Sequence, residues 1–303
     1  MIRPALLWMS ESDRARDVLF KLPFARAAAA RFVAGDTHAE ALNSAAELNR
    51  DGFRVTLDLL GESVSERADA EAATAEYARS LDLIEQSDAQ TTISLKLTQL
   101  GLDIDTDFCT ANLIRIVEHA ERLNNFVRID MEGSAYTERT LDIFYRVFEE
   151  HRNVGVVIQS YMKRSEADIR RLVEIGGPVR LCKGAYKEPA SVAYQDKAEV
   201  DANYVHLMKI LLDGGAPTAI ATHDERMIEA TLAHSSANHL PAEAYEFQML
   251  YGVRRELQRS LTGDGLPMRI YLPYGSQWYS YFMRRMAERP ANLWFVLRAI
   301  LGD

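Results

Sequence analysis

The chain of 303 residues has only two cysteines, Cys109 and Cys182. That number excludes a disulfide framework and a cysteine-built metal module. Cys109 follows an acidic loop and Cys182 lies in an apolar run, and both read as small buried residues of a reduced, intracellular protein. No apolar run approaches the roughly 18 residues of a membrane span. The short apolar stretch at residues 4–9 is followed at once by acidic and basic residues, which excludes a signal peptide. Positive charge is not in excess: 35 Lys and Arg stand against 44 Asp and Glu, for a formal net charge of −9. Such a chain is a poor candidate for nucleic acid, which selects basic surfaces. Neither G-x-G-x-x-G nor a Walker A motif occurs, so the usual dinucleotide and P-loop cradles are missing. No repeat or low-complexity linker is found.

What is present is an ordinary globular composition, 48% hydrophobic and 26% charged, able to bury a large core. Residues 1–50 read as helical throughout; alanines crowd 25–34, and Asp36 is a candidate cap for a helix through Ala39, Ala41, Leu42, Ala45, Ala46 and Leu48. From Phe53 the pattern changes. Runs rich in β-branched residues lie at 53–60, 91–97, 126–131, 154–159, 179–183, 218–222, 244–249 and 268–272. Helical segments lie between them, including 66–86, 108–123, 138–150, 165–175, 198–213 and 225–235. Strands that alternate with helices predict a parallel sheet. Residues 53–303 are about the 250 residues of a TIM (β/α)8 barrel. The alternative, an open doubly wound sheet, usually announces itself by a glycine-rich first turn. The chain therefore divides into an N-terminal helical segment, 1–52, packed on a barrel of residues 53–303.

A TIM barrel carries its site at the C-terminal ends of its strands. Those ends here hold Glu62, Lys96, Asp130, Gln159, Arg180 with Lys183, Thr222 with His223, Gln248 and Tyr271. Any one of them could be a solvated loop residue; the set converging on one rim reads as a site. Lys96 sits inside an apolar strand and needs a counter-charge, for which Asp130 on the next strand is the natural candidate. The pair reads as a structural ion pair, as a cation held ready for an anionic group, or as a Schiff-base lysine. Near the C-terminus a helix from about Gln277 to Glu288 carries Arg284 and Arg285, whose guanidinium forks suit a carboxylate or phosphate. Trp278, Tyr281 and Phe282 on the same helix argue that much of its surface is covered. His234 and His239 do not share a helix face, and no metal-ligand spacing is found.

These residues are recognisable as a group. The segment YLPYGSQWYSYFMRRMAERPAN (271–292) closely resembles the last strand and helix of proline dehydrogenases. The likeness continues through SLKLTQLG (94–101), RIDMEGSAYT (128–137), VIQSY (157–161), RLCKGAYKEP (180–189), ATHD (221–224) and FQMLYG (247–252). The length resembles that of the short monofunctional bacterial enzymes. The resemblance implies a distorted (β/α)8 barrel that binds FAD without a Rossmann motif. It also implies oxidation of L-proline to 1-pyrroline-5-carboxylate, by hydride transfer to the flavin N5, with electrons passed to a membrane quinone.

By the same resemblance Arg284, Arg285 and Lys96 bind the proline carboxylate, and Tyr271 shapes the ring pocket. Asp130 and Arg180 form the catalytic pair, and Glu62 gates the bound substrate. Met131, Gln159, Lys183, Gly184, Ala185, Thr222 and His223 match flavin-binding positions, and Tyr186 lies beside them. A pyrroline-5-carboxylate dehydrogenase is the implied partner, and a cytoplasmic protein meeting the inner face of the membrane is the implied location. Two other classes stay open on the residues alone. A Schiff-base lyase would use Lys96 or Lys183, and a non-catalytic protein would simply bind a small anion.

Overall fold

A computed structural model of the chain describes residues 30–61, 63–279 and 281. Each predicted run forms a strand: β1 (Arg54–Leu59), β2 (Thr91–Leu95), β3 (Val127–Ile129), β4 (Val154–Gln159), β5 (Val179–Cys182), β6 (Thr218–Ala221), β7 (Tyr245–Leu250) and β8 (Met268–Tyr274). The strands pair in parallel in chain order, and β8 closes on β1 through the register Arg54↔Arg269 to Leu59↔Tyr274. The result is the closed parallel α/β barrel expected from the alternation of runs. Strand β4, VGVVIQ, is buried along its whole length, as expected of a parallel strand covered on both faces.

Between the strands lie α1 (His38–Arg50), α2 (Arg67–Glu85), α3 (Thr106–Arg122), α4 (Ser134–Glu150), α5 (Ser165–Glu174), α6 (Lys197–Asp213), α7 (Glu225–Ala237) and α8 (Arg255–Gly263). Helix α1 precedes the barrel and rests on β1 and β8. Its fully buried contact residues are Ala41 and Ala45, small enough to let the helix lie close. Residues 30–36 are not helical, contrary to the reading of 1–50 as helix throughout. Ala34 N–H donates to Pro273 O at 2.8 Å and Gly275 N–H to Gly35 O at 2.9 Å, so this segment zips onto the end of β8. The cap of α1 is Thr37, not Asp36. Its side chain accepts from Glu40 N–H, and the Glu40 carboxylate accepts in return from the Thr37 backbone. That reciprocal pairing satisfies two orphan donors.

Element boundaries elsewhere also shift from the sequence reading, two of them informatively. The run at 91–97 ends as strand at Leu95, and Leu97–Leu100 is a 3-10 turn. Helix α4 begins at Ser134 rather than 138. Its cap comes from a distant loop: Glu188 accepts from Ser134 N–H at 2.7 Å and also from the Ser134 hydroxyl. Cys109 is buried as expected, whereas Cys182 is only half-buried. Burial pushes both thiols up to about 12, where the reactive thiolate is scarce at neutral pH.

The barrel lumen is polar toward one end. Arg54, Glu246 and Arg269, all near strand N-termini, form ion pairs at 2.6–3.0 Å. Beside them the Arg128 guanidinium donates to Pro178 O at 2.7 Å and Val156 O at 3.3 Å. A Cβ on Gly155 would come within 2.4 Å of that guanidinium, so glycine is what makes room for the arginine. Burial, with Arg180 adding to it, pushes Arg128 down to about 9.

Candidate functional site

At the other end of the lumen, side chains on or just after six strands meet. Lys96 and Asp130 directly follow β2 and β3, Asp58 lies on β1, Arg180 on β5, Gln248 on β7 and Tyr271 on β8. Asp130 is the hub. Its Oδ1 accepts from Arg180 Nη1 at 2.7 Å and its Oδ2 from the Tyr271 hydroxyl at 2.6 Å. The Arg180 guanidinium lies 5.2 Å from the Tyr271 ring centre. Arg180 also donates through Nε to Gln248 at 2.5 Å and through Nη2 to the Ser94 hydroxyl at 3.1 Å.

The expected pairing of Lys96 needs correction. Its ammonium lies 3.9 Å from Asp130 but 3.0 Å from Asp58. Asp58 is 1% exposed and was not singled out by the sequence reading. A carboxylate inside the apolar run TLDLL carries the same signal that marked Lys96, since a buried charge requires a partner. Burial alone would lower the Lys96 pKa, but Asp58 and then Asp130 outweigh it and raise it. Burial raises Asp58, with Lys96 opposing. Burial also holds Tyr271 well above the ordinary phenol value, and Asp130 adds to that, so its hydroxyl stays a donor. Lys96 is therefore held as a cation, the wrong state for a Schiff-base nucleophile. Lys183 is likewise occupied, bound by Asp201 and, at 2.8 Å, by Asp224.

The other predicted residues line the wall on the β4–β7 side. Gln159 is 4% exposed and donates to Met131 O at 3.4 Å, while its Oε1 is buried with no hydrogen-bond partner. Gly184 follows Lys183 at φ +101°, where a Cβ would meet the Tyr161 ring at 2.4 Å. Ala185 and Tyr186 are exposed on the same loop. Thr222 accepts from Asp224 N–H at 3.1 Å. His223 accepts on Nε2 from Leu250 N–H at 3.0 Å, which ties it to the end of β7. Asp201 and Asp224 also bind Lys197 and Arg226; neither acid had been singled out. Lys183 holds the Asp224 carboxyl well below the ordinary range against the opposing pull of burial. Glu62, Arg284 and Arg285 lie outside the described residues. Among the described residues no group of three or more His, Cys, Asp or Glu is arranged to hold a metal ion.

This rim presents a cation and a carboxylate a few ångströms apart, beside a half-buried phenol. Across it stands a wall with an unmet acceptor on Gln159 and with Gly184 packed tightly against Tyr161. A family model described as proline dehydrogenase matches residues 41–298. Proline dehydrogenase 1 of Bacillus subtilis (strain 168) is 40% identical over 301 residues, covering 99% of each chain. A proline dehydrogenase of Deinococcus radiodurans is 41% identical over 282 residues, 90% of each. The bifunctional protein PutA of Escherichia coli is 30% identical over 88% of this chain but only 24% of its own length. Among solved structures, proline utilization A of Bdellovibrio bacteriovorus, inactivated by N-propargylglycine, superposes with a TM-score of 0.82 at 26% identity. That match covers 87% of this chain and 33% of the other.

Proposed function

The chain belongs to the proline dehydrogenase family, and we propose that its rim binds L-proline against a flavin, FAD, and oxidises it to 1-pyrroline-5-carboxylate. Its place as an enzyme of proline catabolism follows from the family. The observation that carries the finer reading is the charge layout around Asp130, with the Lys96 cation on one side and the Arg180–Tyr271 pair on the other. Proline offers a carboxylate, an amine and a small apolar ring. In this reading Lys96, with Arg284 and Arg285, takes the carboxylate, and Tyr271 borders the ring. Holding one carboxylate by several cations fixes which ring carbon faces the oxidant, and orientation is much of what hydride transfer needs.

The residues present suit a flavin. Gln159 offers a buried, unmet acceptor, which fits a ring N–H. Gly184 lets the Tyr161 ring pack against the loop at a position where a side chain would not fit. Lys183, Thr222 and His223 stand along the same wall, with Met131, Ala185 and Tyr186 beside it. A flavin bound there would accept the hydride released as the C–N bond becomes an imine. The cation Arg180 would stabilise negative charge near the isoalloxazine edge. The substrate amine must lose its proton before hydride leaves the adjacent carbon, so turnover rises with pH. Glu62 is assigned the gate over bound substrate.

We further propose a membrane quinone as electron acceptor, reached from the cytoplasmic face; no helix among the described residues is long and apolar enough to cross a membrane. The product imine opens in water to an amino aldehyde, which a pyrroline-5-carboxylate dehydrogenase would oxidise as partner. The catalytic barrel is assigned to 53–303, with 1–52 as its N-terminal attachment. The test is turnover of L-proline with an artificial electron acceptor, with the product identified by mass spectrometry. A product two hydrogens lighter supports the reading; no acceptor-dependent loss of proline overturns it.

A further inference from the structure

Arg180 is gripped from beneath by groups that the proposed reaction does not use. We propose that Gln248 and Glu246 are positioning residues for Arg180, forming a hydrogen-bonded column that rises from the N-terminal end of the barrel and fixes the guanidinium at the rim. The inference rests on the reading of Arg180 as a residue at the reaction centre.

The geometry begins with a gap. Arg180 projects from β5, and Gln248 from β7, so β6 lies between them. The β6 residue in register with both Arg180 and Glu246 is Ala219, and the one in register with Gln248 is Ala221. Two alanines leave the lumen open, and Arg180 Nε reaches across to Gln248 Oε1 at 2.5 Å. The orientation of the Gln248 amide is fixed by chemistry. Arginine only donates, so it must meet the carbonyl oxygen. The amide nitrogen then faces Glu246 Oε1 at 2.6 Å, and a carboxylate only accepts.

Glu246 is anchored in turn. Arg269 reaches it through Nε at 2.6 Å and Nη2 at 3.2 Å, and Arg54 at 3.0 Å. Arg269 also donates to Val55 O at 2.8 Å, which ties the column to the backbone of β1. Burial would raise the Glu246 pKa, but Arg269 outweighs it and holds it at about 2. The foot of the column therefore keeps its charge at any working pH. At the top, Nη1 and Nη2 of Arg180 are taken by Asp130 and Ser94. A planar guanidinium held from three strands cannot rotate without breaking a bond. Both Arg180 and Gln248 are buried, at 5% and 4% exposure, so water does not readily replace a lost partner.

The alternative is that Gln248 merely fills space above a structural ion pair. A double-mutant cycle separates the two, because a residue that acts only through Arg180 loses its effect once Arg180 is replaced. The experiment uses the full chain with its bound flavin, labelled with 15N-arginine, as wild type, Gln248→Met, Arg180→Lys and the double variant. It reads Arg180 Nε–H exchange by NMR, the thermal midpoint, and kcat and KM for proline. The Arg180→Lys spectrum assigns the resonance.

The column predicts a protected Arg180 Nε–H in the wild type. Exchange should be about tenfold faster in Gln248→Met, and kcat lower by about tenfold, with the KM for proline changed by less than about twofold. In the Arg180→Lys background, Gln248→Met should cost no further kcat. Unchanged exchange in Gln248→Met, or additive losses of kcat, overturns the proposal. Should Gln248→Met not fold, the wild type decides, because an Arg180 Nε–H exchanging as fast as an exposed arginine contradicts the column. Should the wild type not oxidise proline at all, the functional reading falls, and the exchange data still decide whether the column holds Arg180.

Discussion

Lys96 and Asp58 show what a single buried charge demands. The two lie 3.0 Å apart, with side chains 13% and 1% exposed. Removing one partner leaves the other charge stranded, which costs about 3–5 kcal/mol, whereas replacing both by neutral groups of similar shape is near neutral. Lys96→Met alone should therefore lower stability by about that amount, and Lys96→Met with Asp58→Asn should recover most of it. Denaturant unfolding of the three proteins checks this, and a double variant no more stable than the single one contradicts it. The second residue-scale prediction concerns binding rather than folding. Arg285→Met should raise the KM for proline by about tenfold, from loss of one charged hydrogen bond. Steady-state kinetics reads it, and an unchanged KM removes Arg285 from the carboxylate site.

At the scale of elements, the acid limb of stability is set in part at the strand N-termini. Glu246 has an ordinary pKa of 4.5, and Arg269 holds it at about 2 in the fold against the pull of burial. A lowered carboxylate pKa contributes stability above 4.5 that is lost as pH falls toward 2. Glu246→Gln should flatten the fall in stability over that window relative to wild type, in unfolding curves taken between pH 5 and 2. An identical acid limb would mean that the ion pairs with Arg54 and Arg269 do not form.

Elements also show where sequence is legible. Every strand overlaps a predicted run, with β7 and β8 extending past the ends of theirs, because short runs rich in β-branched residues, set between longer helical segments, read as strands. Helix ends were less legible, for two different reasons. The cap of α1 is local: Thr37 and Glu40 form a TxxE capping box, and the neighbouring Asp36, an equally good cap by residue type, masks it in the sequence. The cap of α4 was not local, since Glu188 arrives from a loop more than fifty residues along the chain.

At the scale of the molecule, the barrel collects at one end what the sequence had scattered over Lys96, Asp130, Arg180 and Tyr271. Strand-end position was enough to gather these, because the barrel brings every strand end to one rim. Partner choice was not, because it depends on which of the two strands flanking β2 brings its carboxylate nearer. Neighbouring strands made Asp130 the natural partner of Lys96, yet Asp58 on the opposite flanking strand is closer. The fold thus supplies a clamp for a small amino acid, and the proposed flavin supplies the oxidant. The most direct test is the absorbance spectrum of the purified protein before and after anaerobic addition of L-proline. The account predicts a bound flavin whose visible band bleaches. A protein that carries no flavin, or one whose flavin stays oxidised with proline present, contradicts it.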